Sequence, residues 1–278
     1  MDAAIGASWV HGTKIGVAVS RDGGKWLYRG TLEGLDIERG HNTFWAPEIL
    51  WAEGRYHMYV SYITGIPTDW EYPRQMLHYT SGNLWDWSFA GRVELGSERV
   101  IDACVYEVAP RRYKMWYKDE DNGSRTTAAV SEDLYHWEVL GEEVADCAQE
   151  GPNVFELGGV KWMISDFWRG LAVYRSEDFS HWTRCRDILE KSGTRPLDRG
   201  LGHHADVVVR GERAFLFYFC HPYAMETEGE SGEEEAAKLT PQERNKAVVQ
   251  VAELTVRDGG LHCDRNAQVS WPGMPDTI

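Results

Sequence analysis

Three carboxylic acids and a pair of histidines stand at comparable places along this chain, each at the head of an apolar run: Glu48 in WAPEILW, Asp102 in VIDACVY, Glu150 in QEGPNVF, and His203-His204 in GHHADVVV. A carboxylate beside a buried strand is costly unless it is paired or used. Any one of these residues alone fits a turn or a cap. A set recurring in four consecutive segments instead predicts a shared pocket, where gathered acids push one another's pKa values apart. Two carboxyl groups of unlike proton affinity facing one cleft are the equipment for hydrolysing a glycosidic bond.

The elements that must position these residues are repeated. SEDLYHW at 131–137 and SEDFSHW at 176–182 are near copies, and SRDGGKW at 20–26 and SGNLWDW at 81–87 are looser ones. Each has a Ser followed six residues later by a Trp: Ser20/Trp26, Ser81/Trp87, Ser131/Trp137 and Ser176/Trp182. Ahead of the later copies, and again at 205–219, the stretches 47–62, 102–119 and 151–166 read as strand, turn, strand from their alternation and turn residues. The Ser-to-Trp phrase adds a third strand, a turn and a fourth, and four strands per unit is a propeller blade. The first unit shows only its back half, KIGVAVSRDGGKWLYRG at 14–30, and the fifth lacks the phrase in KAVVQVAELTVRDGGLHC at 246–263. The expectation is an all-β chain, one domain over 1–278, folded as a five-bladed β-propeller with an incomplete first blade. Trp26, Trp87, Trp137 and Trp182 are expected to pack between blades, and the repeated Ser and Asp to hydrogen-bond their own turns. A WD-type interaction propeller is set aside, because the Trp-Asp pair occurs in only one copy, LWDW.

Bulk properties narrow the partner. Thirteen Trp, 13 Tyr and 28 Gly in 278 residues favour many short strands and tight turns. A formal charge of -15 argues against a phosphate-backbone partner, so no nucleic acid is expected and a neutral or cationic small ligand fits better. Five cysteines without a CxxC pair read as free thiols. No apolar run approaches the roughly 18 residues a membrane helix needs. The start has no signal-peptide pattern, which gives a cytoplasmic expectation and no membrane partner. Residues 224–245 are acidic and poor in large apolar side chains, the composition of a flexible insertion in blade five.

The ordered set FWAPEI, VIDAC, EGPNVF and GHHADVVV resembles the five-bladed propeller glycosidases, and specifically glycoside hydrolase family 43, over residues 14 to 263. The resemblance implies an inverting glycoside hydrolase acting on short oligosaccharides or glycosides of arabinofuranoside or xyloside type. It makes Glu150 the general acid that protonates the departing oxygen. Asp102 becomes the neighbouring acid that orients Glu150 and raises its pKa, since one anion disfavours a second. Glu48 receives a lining role. The family's general base is an Asp on the inner strand of blade one, and no such strand precedes KIGVAVS; Asp2 is the only acid there and is not assigned. Hydrolysis by the chain in this form is therefore expected to be crippled, and a catalytically silent carbohydrate-binding propeller is the alternative.

His203 matches the family's histidine near the channel axis, which implies a calcium ion held there through water; no other cofactor is required. Successive strand residues face opposite sides, so only one of the pair can face the axis, and His204 is the alternative, expected to contact substrate. Trp45, Trp168 and Arg169 are expected to bind sugar, as aromatic platforms and a donor, with Arg195 in GTRP a further candidate.

Overall fold

Alternation and turn residues place the strands where the repeats require them. The computed structural model describes residues 12–223, 240, 243 and 246–271. Asp2 and nearly all of the 224–245 segment lie outside the described residues.

Four blades are complete antiparallel meanders. Blade two comprises β3 (Thr43–Ala52), β4 (Arg55–Ile63), β5 (Gln75–Ser81) and β6 (Trp87–Val93). Blade three comprises β7 (Val100–Ala109), β8 (Arg112–Asp119), β9 (Arg125–Ser131) and β10 (Glu138–Val144). Blade four follows with β11 (Glu150–Leu157), β12 (Val160–Asp166), β13 (Leu171–Ser176) and the short β14 (Thr183–Arg184). Blade five has β15 (His203–Arg210), β16 (Arg213–Cys220), β17 (Val248–Arg257) and β18 (Gly260–Cys263). The remaining sheet holds only β1 (Gly16–Ser20) and β2 (Trp26–Thr31). The chain is thus an all-β propeller whose first blade consists, among the described residues, of its outer two strands.

Each Ser-to-Trp phrase builds one turn. Ser131 Oγ accepts the N–H groups of Asp133 (3.2 Å) and Leu134 (2.8 Å), and Asp133 Oδ1 accepts those of Tyr135 and His136, both at 2.8 Å. Ser81 with Asn83, and Ser176 with Asp178, repeat the pattern. The residue three after the Ser takes a left-handed φ every time: Gly23 at 69°, Leu84 at 65°, Leu134 at 69° and Phe179 at 61°. These side-chain acceptors satisfy the turn's own donors, which is what allows non-glycine residues there. The His181 N–H and imidazole, with the Ser180 N–H, hold Asp178 well below the usual carboxylate range.

The Trp of each phrase reaches back to the preceding blade. Trp182 meets Trp116 of blade three edge-on at 6.0 Å, and Trp137 meets Tyr59 of blade two at 5.7 Å. Trp87 is buried in a cluster that takes in Val17 of β1. Four apolar clusters result, one between blades one and two, one between two and three, one between three and four, and one between four and five. Blade five meets β1 and β2 through smaller contacts, Trp26 to Phe217 at 6.2 Å and, at the β1–β2 turn, Trp271, which lies against Gly23 and packs on Phe215 at 4.5 Å. All five cysteines are unpaired, and no helix among the described residues is long and apolar enough to cross a membrane.

Candidate active site

Every inner strand carries the same irregularity. Between Trp45 and Glu48, Ile101 and Cys104, Glu150 and Asn153, and His203 and Asp206, three steps on the inner strand match two on its partner, which is a β-bulge in each blade. The first bulged residue has a positive φ in all four: Ala46 at 44°, Asp102 at 60°, Gly151 at 55° and His204 at 24°. Bulges re-aim side chains, and here they turn Asp102 and His204 out of the sheet alternation, at a backbone strain typical of functional sites.

Aligning the bulges corrects the expectation that the acids hold equivalent places. Glu150 shares its layer with Trp45, Ile101 and His203. Asp102 sits one step further along, with Ala46, Gly151 and His204. Glu48 lies two steps deeper than Asp102, in a layer with Cys104, Asn153 and Asp206. The spacing of a residue before an apolar run does not reveal a bulge, so sequence reading merged three layers into one.

Asp102 and Glu150 are brought together from neighbouring blades. The Gly151 N–H, next to Glu150, donates to Asp102 Oδ2 at 3.2 Å, and the Asp102 N–H donates to Ser61 Oγ at 3.1 Å. Asp102 is 5% exposed. Burial pushes its carboxyl up to about 6, with Glu150 adding to the rise and His204 and Lys118 opposing it. Gly151 is required twice: its φ is left-handed, and a Cβ would stand 2.6 Å from the His204 ring. The His204 imidazole therefore lies against the Glu-Gly-Pro backbone, beside Asp102.

Glu150 faces donors that sequence reading missed. Its Oε2 accepts from Lys118 Nζ at 2.9 Å and its Oε1 from the Trp168 indole N–H at 3.2 Å. Lys118 is buried; burial works against its charge, but Glu150 and Glu120 outweigh it and raise its pKa. Glu120 bonds Lys118 at 3.2 Å and Arg74 at 2.8 Å. The Arg74 guanidinium lies 5.6 Å from the Trp45 ring and 5.9 Å from that of Trp70. Trp45 and Trp70 are 6.0 Å apart at 52°, so the expected Trp45 platform is half of an aromatic pair. Trp168 projects from the β12–β13 turn at φ 62° and is 44% exposed. Arg169 is exposed on the same turn.

The histidines take places opposite to those expected. His204 lines the channel cavity, whereas His203 bonds Asp166 Oδ2 at 3.1 Å and stacks on Phe219 at 5.5 Å. The bulge is the reason, because it aims its first residue, His204, at the channel. Among the described residues no group of three or more His, Cys, Asp or Glu side chains is arranged to hold a metal ion. Arg195 is also reassigned: it bonds Asp198 Oδ2 at 3.0 Å and Tyr218 Oη at 3.0 Å, a packing role between blades four and five.

Below this mouth, a cavity of about 280 Å³ lies between the inner strands, with Pro47, Glu48, Asp102, His204, Asp206 and Phe219 on its walls. Glu48 is pushed up to about 8 by burial and by the Asp206 carboxylate, so it is a neutral acid at pH 7. Its Oε1 accepts the Val105 N–H at 2.8 Å. Cys104 Sγ accepts from Val154 N at 3.2 Å, and Asn153 Oδ1 from Val207 N at 3.2 Å. Glu48, Cys104 and Asn153 of this deep layer thus each tie down the next blade's inner strand. Glu48 lines the channel, as the sequence suggested, and is part of that girdle.

This architecture, an all-β propeller, is the class of fold that known structures share. A thermostable family-43 glycoside hydrolase superposes with a TM-score of 0.70 at 17% identity, covering 96% of this chain and 90% of the other. An alpha-L-arabinofuranosidase from Lactobacillus brevis gives 0.60 at 15% identity over 90% and 84%. A Bombyx mori GH32 beta-fructofuranosidase mutant in complex with sucrose gives 0.62 at 13% identity, and this chain spans just over half of it, 57%. No family model and no curated protein sequence matches the chain. At these identities the similarity establishes the propeller fold common to several glycosidases.

Proposed function

We propose that the protein is a glycoside hydrolase of the family-43 type, acting by inversion on arabinofuranosides or xylosides. The observation that carries this reading is the contact of Asp102 with the Glu150 strand at the mouth of the channel, in a fold shared with glycosidases. The sugar lies between the Trp45–Trp70 pair and Trp168, whose faces suit the apolar sides of a pyranose or furanose ring. Glu150 delivers its proton to the glycosidic oxygen as the anomeric C–O bond breaks, and the electron pair leaves on that oxygen. Asp102, through the Gly151 N–H, holds the strand that presents Glu150. Water then adds to the anomeric carbon from the opposite face and gives its proton to a base.

That base is not assigned among the described residues. The positions of blades two and five in the Asp102 and Glu150 layers hold Trp45 and Ala46, and His203 and His204. The described residues supply the acid half of the reaction. This favours a second reading, a carbohydrate-binding propeller without turnover.

One experiment separates the two. Wild type, Glu150→Gln and Asp102→Asn are assayed on phenyl α-L-arabinofuranoside and β-D-xyloside, whose leaving group needs a proton, with NMR of the first-formed anomer, and arabino-oligosaccharide binding is measured by calorimetry. Hydrolysis with inversion that falls by about 10²-fold or more in Glu150→Gln supports the hydrolase. Binding without product supports the silent binder. Equal hydrolysis by wild type and Glu150→Gln removes Glu150 from the acid role.

A further inference from the structure

Glu150 is held on both oxygens, and both donors are themselves held. Lys118 reaches Oε2 at 2.9 Å from blade three, and the Trp168 indole N–H reaches Oε1 at 3.2 Å from the blade-four turn. The two donors also touch each other, with Lys118 Nζ 5.3 Å from the Trp168 ring centre. Behind Lys118 stands Glu120 at 3.2 Å, itself anchored by Arg74 at 2.8 Å and Arg99 at 3.6 Å. Behind Trp168 stands Asp166, 1% exposed, whose Oδ1 accepts the Trp168 backbone N–H at 2.7 Å. Asp166 Oδ2 accepts the His204 N–H at 3.1 Å.

A glutamate side chain has three torsions, and an acid that must meet one oxygen of a bound glycoside loses rate when those torsions wander. Packing alone does not fix Glu150, because its side chain is 24% exposed. We propose that Lys118 and Trp168 form a two-donor clamp that fixes the carboxyl group of Glu150, each oxygen still accepting its donor when one of them carries the proton that passes to the leaving group. Both are positioning residues for that step, and the inference rests on the hydrolase reading given above. Trp168 then has two duties on two parts of one ring system: its exposed face takes the sugar, and its N–H edge takes the acid. Recognition on the face fixes the distance between the glycosidic oxygen and the group that protonates it.

The signature is a dependence on the leaving group. Trp168→Phe keeps a ring face and removes the N–H; Lys118→Met removes the charge; Lys118→Arg keeps a donor. Wild type and variants are compared by kcat and KM on aryl pentosides running from 4-nitrophenyl, which departs with little proton transfer, to unsubstituted phenyl, which needs it. Loss of clamp geometry lowers kcat by about 10²-fold on phenyl glycosides and by less than about tenfold on 4-nitrophenyl glycosides, with partial recovery in Lys118→Arg. A loss of equal size on every leaving group overturns the clamp, since a general structural defect has no reason to follow leaving-group chemistry.

A substrate-free measurement keeps the two readings apart. The indole N–H resonance of Trp168, assigned by its absence in Trp168→Phe, is followed by NMR in Glu150→Gln, in Lys118→Met and in the exposed control Glu94→Gln. Movement in the first two and not in the control supports the clamp even if no glycoside is hydrolysed. A resonance that stays in place in both overturns it whatever the activity.

Discussion

The contact between blades three and four and the contact between blade five and the first blade are built from the same repeat and end in opposite states. In the former, Trp116 is fully buried, Trp182 meets it edge-on, and Glu143 binds Lys114 and both indole N–H groups. In the latter, Trp26 is 54% exposed and Val249 is 71% exposed. The deep channel layer shows the same contrast. Glu48, Cys104 and Asn153 each accept a backbone N–H from the next blade, whereas Asp206 is exposed and is held by Asn153 Nδ2 of its own neighbour at 2.8 Å. The difference teaches that a blade's inner strands supply the closure. The phrase that ends in Trp builds its turn in all four of its copies, but the Trp is covered only where its own blade is complete: Trp87 is buried and Trp137 and Trp182 are half-buried, against the exposed Trp26.

Substitutions at the two contacts break the comparison most sharply. Trp116→Ala is expected to destabilise by about 3–5 kcal/mol, through loss of packing and of a bonded indole in a site that cannot collapse. Trp26→Ala is expected to lose under about 1 kcal/mol. Urea unfolding monitored by circular dichroism checks both, and equal losses would mean that the fifth contact is as closed as the others.

An effect that grows with pH is expected from Glu48. Its carboxyl titrates at about 8 in the fold against an ordinary value of 4.5. The folded chain therefore holds a proton that the unfolded chain has released, and this contribution, full at low pH, is lost as the pH rises from 4.5 to about 8. Glu48→Gln is neutral throughout and still accepts from Val105, so it should gain stability over wild type as the pH rises, on the order of 4 kcal/mol by pH 8. Thermal melts from pH 5 to 9 test the sign; a constant difference across that range would contradict the buried neutral acid.

The girdle is sharpened by the smallest pair. Asn153→Ala leaves the Val207 N–H without its acceptor and should lose about 1–3 kcal/mol. Asp206→Ala, at the open end, should change stability by less than about 0.5 kcal/mol. Parallel chemical denaturation of the two variants makes the comparison directly.

The repeats alone determined the architecture: the all-β class, four complete meanders, the half blade at 14–30 and the turn chemistry of the Ser-to-Trp phrase are all local patterns, and local patterns survive in sequence. The pairing of Asp102 with Glu150 was legible as well, because two neighbouring inner strands must begin at one channel. What only the tertiary structure decided was which layer each side chain joins. One extra residue per inner strand set His204 rather than His203 on the wall of the channel cavity and put Glu48 two steps below Asp102, and nothing in the residue types announces a bulge. Lys118, Glu120, Asp166 and Trp70 were invisible for a related reason. They lie on second strands and loops: Lys118 reaches Glu150 from the adjacent blade, and Glu120, Asp166 and Trp70 stand beside Lys118, Trp168 and Trp45 through the folding of their own blades, which the residue types do not encode.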